Sequence, residues 1–427
     1  MADLLIKDVT LPSGARVDLG VQGTRLADPS ALTRPHVIDA SGLIALPGLV
    51  DLHTHLREPN PHPAETIATG TAAAARGGFT AVFAMANTDP VTDTADRVRD
   101  LRRRAETASA EVLPVGAVTR GLGGVELSEI EQMHAEGVTI FSDDGRCVMD
   151  AGLMRQALRR IGAFGGVVAQ HAQDCSLAGS MASIPDGPRG ARDAQADTPV
   201  CWPRVAESVI VARDAQLALD TGAHVHICHV STAESVEVLR WAKSRGIPLT
   251  AEAAPHHLLL DRALLDSRDT RYKVNPPLRG AEDREAVRRG LADGTIDIVA
   301  TDHAPHLPSD KALPFPDAKP GMVGLEYALA VVVDTMVNTG LLDWNGVADR
   351  FSHAPARIGE VSDRQGRPLA VGEPATLTLV DPARRAVVDK DDSLSLGRNN
   401  PYHGMDLPDP VLVTLWAGRV TFRDASV

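Results

Sequence analysis

The sequence predicts an α/β chain, a (β/α)8 TIM-type barrel with a small β-sandwich domain built from both chain termini. Three observations predict it. Short β-branched runs alternate with helical patterns through the middle of the chain, strand-like pieces crowd both ends, and metal-binding residue types directly follow several of the runs. A length of 427 residues is too great for one ordinary core but suits a large barrel with a smaller appended domain.

Residues 1–48 carry alternating pieces at 4–6, 16–21 and 37–39, broken by turns. Similar pieces at 375–380 and 411–416 flank a Pro/Gly/Asn-rich segment at 399–410. Residues 1–48 and 361–427 are therefore expected to pair into one composite β-sandwich domain, leaving 49–360 as the barrel. The barrel strands are expected at 49–53, 80–85, 112–118, 138–142, 167–171, 225–229, 249–253 and 296–301. Between them, 176–203 and 303–321 are long, irregular and rich in Pro, Gly and Asp, so both are candidates for covering an active site. A tolerated surface insertion is the alternative for the first.

A net charge of −13 and a pI near 5.6 argue against nucleic acid or an anionic membrane as the main partner. Cys147, Cys175, Cys201 and Cys228 form neither a Cys-x-x-Cys pattern nor a dense disulfide framework, which fits a reducing compartment. The first residues lack a basic segment followed by a long apolar core, and no apolar run reaches the roughly 18 residues of a spanning helix. A cytoplasmic, soluble protein is expected.

Strand ends are where a barrel does chemistry. His53 and His55 end the first strand, and their i, i+2 spacing puts both imidazoles on one face. Asp143 and Asp144 end the fourth, His171 the fifth, His229 the sixth and Asp302 the eighth. Four imidazoles and two carboxylates suit zinc and exceed what one tetrahedral ion takes, so two Zn2+ ions are expected. Two such ions need a bridging carboxylate. No lysine lies between Lys7 and Lys243, so the bridge is not a carboxylated lysine from strands two to six. It falls to Asp143 or Asp144, which have opposite strand parity, and Asp144 is favoured. Parity also groups His229 with Val225 and Ile227, placing His224, His226 and Cys228 on the helix side as packing residues. His256 and His257 read as a structural turn after Pro255.

Seven segments together resemble the amidohydrolase superfamily, and within it the class I dihydroorotases. They are residues 51–59 (DLHTHLREP), 85–88 (MANT), 141–145 (FSDDG), 226–231 (HICHVS), 255–260 (PHHLLL), 275–279 (NPPLR) and 300–306 (ATDHAPH). The resemblance covers nearly the whole length. Asn60 and Ala86 stand where that family often has Gly and Pro.

The resemblance implies reversible cyclisation of N-carbamoyl-L-aspartate to L-dihydroorotate in pyrimidine synthesis. It implies that His53, His55, Asp144, His171, His229 and Asp302 bind two zinc ions, with Asp144 bridging. It also implies that Arg57, Asn87, Asn275, His306 and the backbone near Pro320 and Gly321 contact substrate, and that Asp302 moves the proton. Arg57 offers a planar fork suited to a carboxylate. A homodimer and an aspartate carbamoyltransferase partner are further expectations. Two alternatives are a dihydropyrimidinase, hydantoinase or allantoinase, and a non-catalytic scaffold for aspartate carbamoyltransferase. Arg57 with Asn87 and the missing lysine disfavour the first, and the complete ligand set disfavours the second.

Overall fold

The structure is a computed structural model that describes residues 3–178 and 202–427. Eight parallel strands surround one axis: β1 (Leu49–Thr54), β2 (Phe79–Ala84), β3 (Glu111–Pro114), β4 (Ile140–Phe141), β5 (Val167–Gln170), β6 (His224–Ile227), β7 (Leu249–Ala253) and β8 (Ile298–Val299). They pair as an arc of three, β1 to β3, and an arc of five, β4 to β8. Single parallel bridges join the arcs, Gly116 to Phe141 on one side and Thr54 to His303 on the other. The two seams close the barrel.

Both faces of these strands are buried, which explains their nearly continuous apolar sequence. Leu49, Val82, Val168, Val225, Ile227, Leu249, Ala251 and Val299 pack against the helices in one large core. Residues of the other parity, among them Val50, Ala81, Phe83, Leu113, Val167, Ala169 and Ile298, form a second cluster that fills the barrel. Ala354, Ala356 and Ile358 join that cluster from the helix at its floor.

The helices start where short polar side chains cap them. Thr66 accepts from the Thr69 amide ahead of helix Ile67–Arg76, Asp150 from the Leu153 amide ahead of Ala151–Gly162, and Thr232 from the Ser235 amide ahead of Ala233–Ser244. Gly222, at φ +69, ends helix Arg204–Thr221 in the left-handed conformation.

Strands from both chain ends share one eight-stranded sheet. Its junction is the antiparallel pairing of Ile44–Pro47 with Leu377–Val380. Ile6, Val21, Ala45, Leu377, Leu379, Val413 and Leu415 give this sheet a core of its own.

Several strands are shorter than the sequence suggests. The run 296–301 forms regular strand only over Ile298–Val299, and 138–142 only over Ile140–Phe141, although single backbone hydrogen bonds to the neighbouring strands continue on either side. The irregular stretch 176–203 lies, apart from its ends, outside the described residues. The stretch 303–321 contains a short helix, Pro308–Lys311, and is fastened from below. The Lys273 ammonium donates to the carbonyls of Phe315 (2.8 Å) and Pro316 (2.7 Å), and Lys311 donates to those of Thr270 (2.9 Å) and Lys319 (2.8 Å). Among the described residues no helix is long and apolar enough to cross a membrane.

Candidate active site

A cavity of about 550 Å³ opens at the carboxyl ends of the barrel strands. His55, Arg57, Asn87, Asp144, His171, His229, Asn275, Asp302, His306, Pro320 and Gly321 all line it. His53 lies just beneath them, fully buried.

Local backbone irregularity aims these side chains. In β1 the pairing with β2 slips between Asp51 and Thr54, so a bulge turns His53 and His55 into the barrel. Asp51 fixes the bulge by accepting from the His53 amide (3.1 Å), the Thr301 amide (3.0 Å) and the Thr301 hydroxyl (2.5 Å). His229 and Asp302 follow the ends of β6 and β8 at φ +33 and +47, a conformation that costs non-glycine residues free energy and is held here by the surrounding structure.

This strain corrects the parity reading of the sixth strand. Val225 and Ile227 face the helices, whereas Cys228 packs with the barrel-filling cluster and His226 turns inward to Glu252. Alternation stops at Ile227, and the positive φ at His229 swings its ring back to the cavity. His256 and His257 begin a short helix, Pro255–Leu259, and are buried beside the cluster. Burial pushes His256 down to about 4, so it is neutral at physiological pH.

The carboxylates of Asp144 and Asp302 bring the four imidazoles together. Asp144 Oδ1 lies 3.4 Å from His53 Nε2, 3.4 Å from His171 Nδ1 and 3.6 Å from His229 Nε2, while its Oδ2 lies 3.4 Å from His55 Nε2. Asp302 Oδ1 lies 3.5 Å from His53 Nε2 and 3.3 Å from His55 Nε2. Asp143 points away and accepts from the Val118 and Thr119 amides (2.8 and 2.9 Å), tying the end of the fourth strand to the loop after β3.

The tautomers follow from the outer partners. His53 Nδ1–H donates to Glu252 Oε1 (2.6 Å) and His55 Nδ1–H donates to Asn87 Oδ1 (3.0 Å), which places the proton of each ring on Nδ1. Both Nε2 atoms therefore aim lone pairs at carboxylate oxygens. His53 Nε2 and Asp144 Oδ1 are buried without a hydrogen-bond partner, an arrangement that is repulsive unless a cation sits between them. Ligands held tetrahedrally at about 2.0–2.1 Å from zinc lie about 3.3–3.4 Å apart, and the separations here match. The donor set fits a metal centre.

Burial alone would raise Asp302 and Asp144, but hydrogen bonding and positive charge from the imidazoles, chiefly His55 for Asp302 and His53 for Asp144, hold both well below the usual carboxylate range, and Asp144 and Glu252 raise His53 against its own burial. A cation bound among the same atoms would supply that positive charge and leave the Nε2 lone pairs free to coordinate. Glu252, likewise buried, is held down to about 2 by His53 and His226. Burial brings Arg57 down only to about 10, so its guanidinium stays charged.

The cavity wall is preorganised. Arg57 Nε donates to the Pro305 carbonyl (3.1 Å). Asn87 Nδ2 donates to the Asp144 carbonyl (3.2 Å), which leaves its second hydrogen for a ligand. Asn275 and Gln173 exchange hydrogen bonds (3.0 and 3.1 Å) beside His171 Nε2. His306 Nε2 donates to the Pro320 carbonyl (2.7 Å). Gly321, at φ +147, has no room for a side chain, since a Cβ there would lie 2.6 Å from His306 Nε2.

Sequence reasoning missed Glu252 and Gln173. A single acid inside the apolar run Leu249–Ala253 was the available signal for Glu252. Gln173, two residues beyond His171, carried none.

Residues 42–235 match the family described as Dihydro-orotase-like. The dihydroorotase of Streptomyces coelicolor is 52% identical over 100% of both chains, and that of Mycobacterium tuberculosis is 51% identical over 97% of this chain and 96% of its own. Among solved structures, the L-hydantoinase (dihydropyrimidinase) of Arthrobacter aurescens superposes with a TM-score of 0.86 at 25% identity, covering 99% of this chain and 96% of that one. The dihydropyrimidinase of Brevibacillus agri gives 0.85 at 23% identity, with 99% and 95% covered.

Proposed function

Because the chain belongs to the dihydroorotase family, and so hydrolyses a cyclic amide, we propose that its barrel mouth interconverts L-dihydroorotate and N-carbamoyl-L-aspartate. The observation that carries this reading is the joint placement of the metal centre and the charged Arg57 fork in one cavity. A cyclic amide that also bears a carboxylate fits both. Two zinc ions would be held at the centre by His53, His55, Asp144, His171, His229 and Asp302. When bound, such metals supply a Lewis acid for the ring carbonyl and activate water at neutral pH.

The protein's own groups do the rest. Arg57, with Asn87 and Asn275, grips the substrate carboxylate and fixes the ring against the centre. His306 and the Pro320–Gly321 backbone line the cavity beside Arg57, whose Nε is held on the neighbouring Pro305 carbonyl. Asp302, held as a carboxylate, takes the proton released on attack and passes it to the departing ring nitrogen. Glu252 and Asn87 keep the two β1 imidazoles in the tautomer that coordinates.

The composite sheet of residues 1–48 and 361–427 is assigned as a separate domain beside the barrel at 49–360, supported by its own core. A cytoplasmic location, a homodimer and binding of an aspartate carbamoyltransferase belong to the same reading, and the family resemblance supports them. An absorbance assay of dihydroorotate beside hydantoin, dihydrouracil and allantoin tests the activity. Turnover of dihydroorotate alone is expected, together with about two zinc ions per chain by metal analysis. Preference for hydantoin would favour the hydantoinase reading instead.

A further inference from the structure

The barrel mouth is completed by a residue that lies far beyond the barrel in sequence. Asn399 is buried, and its carboxamide reaches two separate pieces of the cavity wall. Its Oδ1 accepts from the His306 amide (3.1 Å), and its Nδ2 donates both to the Ala304 carbonyl (2.9 Å) and to the Gly321 carbonyl (3.0 Å). Its backbone carbonyl accepts from the Val323 amide (3.3 Å). The two ends of the 303–321 stretch are thus joined through one side chain. That pattern fixes the amide orientation, since a flipped carboxamide would set oxygen against carbonyl oxygen and nitrogen against an N–H.

The segment carrying Asn399 is itself pinned. Glu65, buried, accepts from the Ser395 hydroxyl and the Leu396 amide (3.1 Å), and also pairs with His303 Nε2 (3.2 Å). Gly397 passes so close to the wall that a Cβ would lie 2.7 Å from Pro305 and from Val323. Asn399 is therefore delivered to its place by a rigid connection.

We propose that Asn399 is a positioning residue for substrate binding, setting the spacing between His306 and Gly321 so that the part of the cavity wall next to Arg57 is formed before substrate arrives. The proposal rests on the cavity being the dihydroorotate site. The physical basis is preorganisation: small displacements of groups that grip a substrate cost up to about 10²-fold. Neither Asn399 nor its segment approaches the metal-binding cluster through any hydrogen bond, so the loss should fall on substrate binding and spare the metals.

The test compares Asn399→Ala, Asn399→Asp and Ser395→Ala in the full-length, metal-loaded enzyme. The Asp variant keeps the acceptor for the His306 amide but sets a carboxylate oxygen against two carbonyls and adds a negative charge near an anionic substrate. KM for dihydroorotate should rise at least about tenfold in the Ala variant and further in the Asp variant, with kcat within about threefold and zinc content unchanged. Ser395→Ala, which loosens the same segment at its far anchor but leaves the three hydrogen bonds of the Asn399 carboxamide in place, should lower Tm and raise KM by clearly less than Asn399→Ala; an equal or larger rise would make the segment's anchoring, not the carboxamide, the cause and overturn the proposal. An unchanged KM in Asn399→Ala, or an equal fall of kcat with loss of zinc, overturns the proposal. Hydrogen exchange reads the clamp without substrate: peptides covering 303–307 and 319–322 should lose protection in Asn399→Ala, and unchanged protection overturns it. A wild-type enzyme that does not turn over dihydroorotate would overturn the reaction assignment, while exchange would still decide the clamp.

Discussion

At φ +47, Asp302 holds its carboxylate oxygen 3.5 Å from His53 Nε2 and 3.3 Å from His55 Nε2, a placement that suits the proton transfer proposed for it. Asp302→Ala should lower turnover by about 10²–10⁴-fold while metal analysis still finds bound zinc, because four imidazoles and Asp144 remain. Near-normal hydrolysis would remove Asp302 from the chemistry. Glu252 acts one layer deeper. It engages the His53 ring (2.6 Å), the His226 ring (2.9 Å) and the strained His229 amide (3.2 Å). Glu252→Ala should weaken metal affinity roughly 10–100-fold, measured by competition with a chelator. The clustered histidines and aspartates could be picked out in the sequence because each follows an apolar run at a strand end, whereas Arg57, Asn87, Asn275 and His306 were legible only through the family resemblance. Glu252 offered only a lone acid in an apolar run, and Gln173 and Asn399 offered nothing, since their roles depend on partners brought close only by the fold; Asn399 and His306 are 93 positions apart.

Elements were readable to differing depth. The position of every barrel strand was visible as a β-branched run, because strands buried on both faces need apolar side chains at each position. Their ends were not, because a bulge in β1 and left-handed residues after β6 and β8 break the period on which parity arguments depend. The stretch 303–321 shows what its irregular sequence concealed, a loop latched by two lysines. Burial and the neighbouring Lys273 push Lys311 from its ordinary 10.5 to about 7. Its folded value lies below its unfolded one, so between about pH 7 and 10.5 the unfolded chain binds more protons and stability rises with pH. The contribution of Lys311 is full above 10.5 and is lost as pH falls towards 7. Denaturant unfolding of wild type and Lys311→Met at pH 7 and 9.5 should show wild type gaining relative to the variant at the higher pH. A pH-independent difference would contradict the shift.

For the whole molecule, the barrel with its composite sheet followed from length, from strand-like pieces at both ends and from the alternation between them. What the sequence could not reveal is that the barrel is two arcs meeting at narrow seams. His53 and His55 belong to the arc β1–β3, whereas Asp144, His171, His229 and Asp302 belong to β4–β8, so each carboxylate–imidazole approach from His53 or His55 crosses between arcs. Chelation should therefore lower Tm, by the stabilisation RT ln(1 + [L]/Kd) that bound metal contributes. It should also speed amide exchange first at the seams, at His55, Gly116 and Ser142, whose amides donate to His303, Ile140 and Gly116 (2.9, 3.1 and 2.8 Å). Uniform exchange across the barrel after chelation would count against this. On the proposed assignment the cation centre would double as a rivet: ions bound there would also hold two half-shells of protein shut, and losing them would unfasten the scaffold along its thinnest joints.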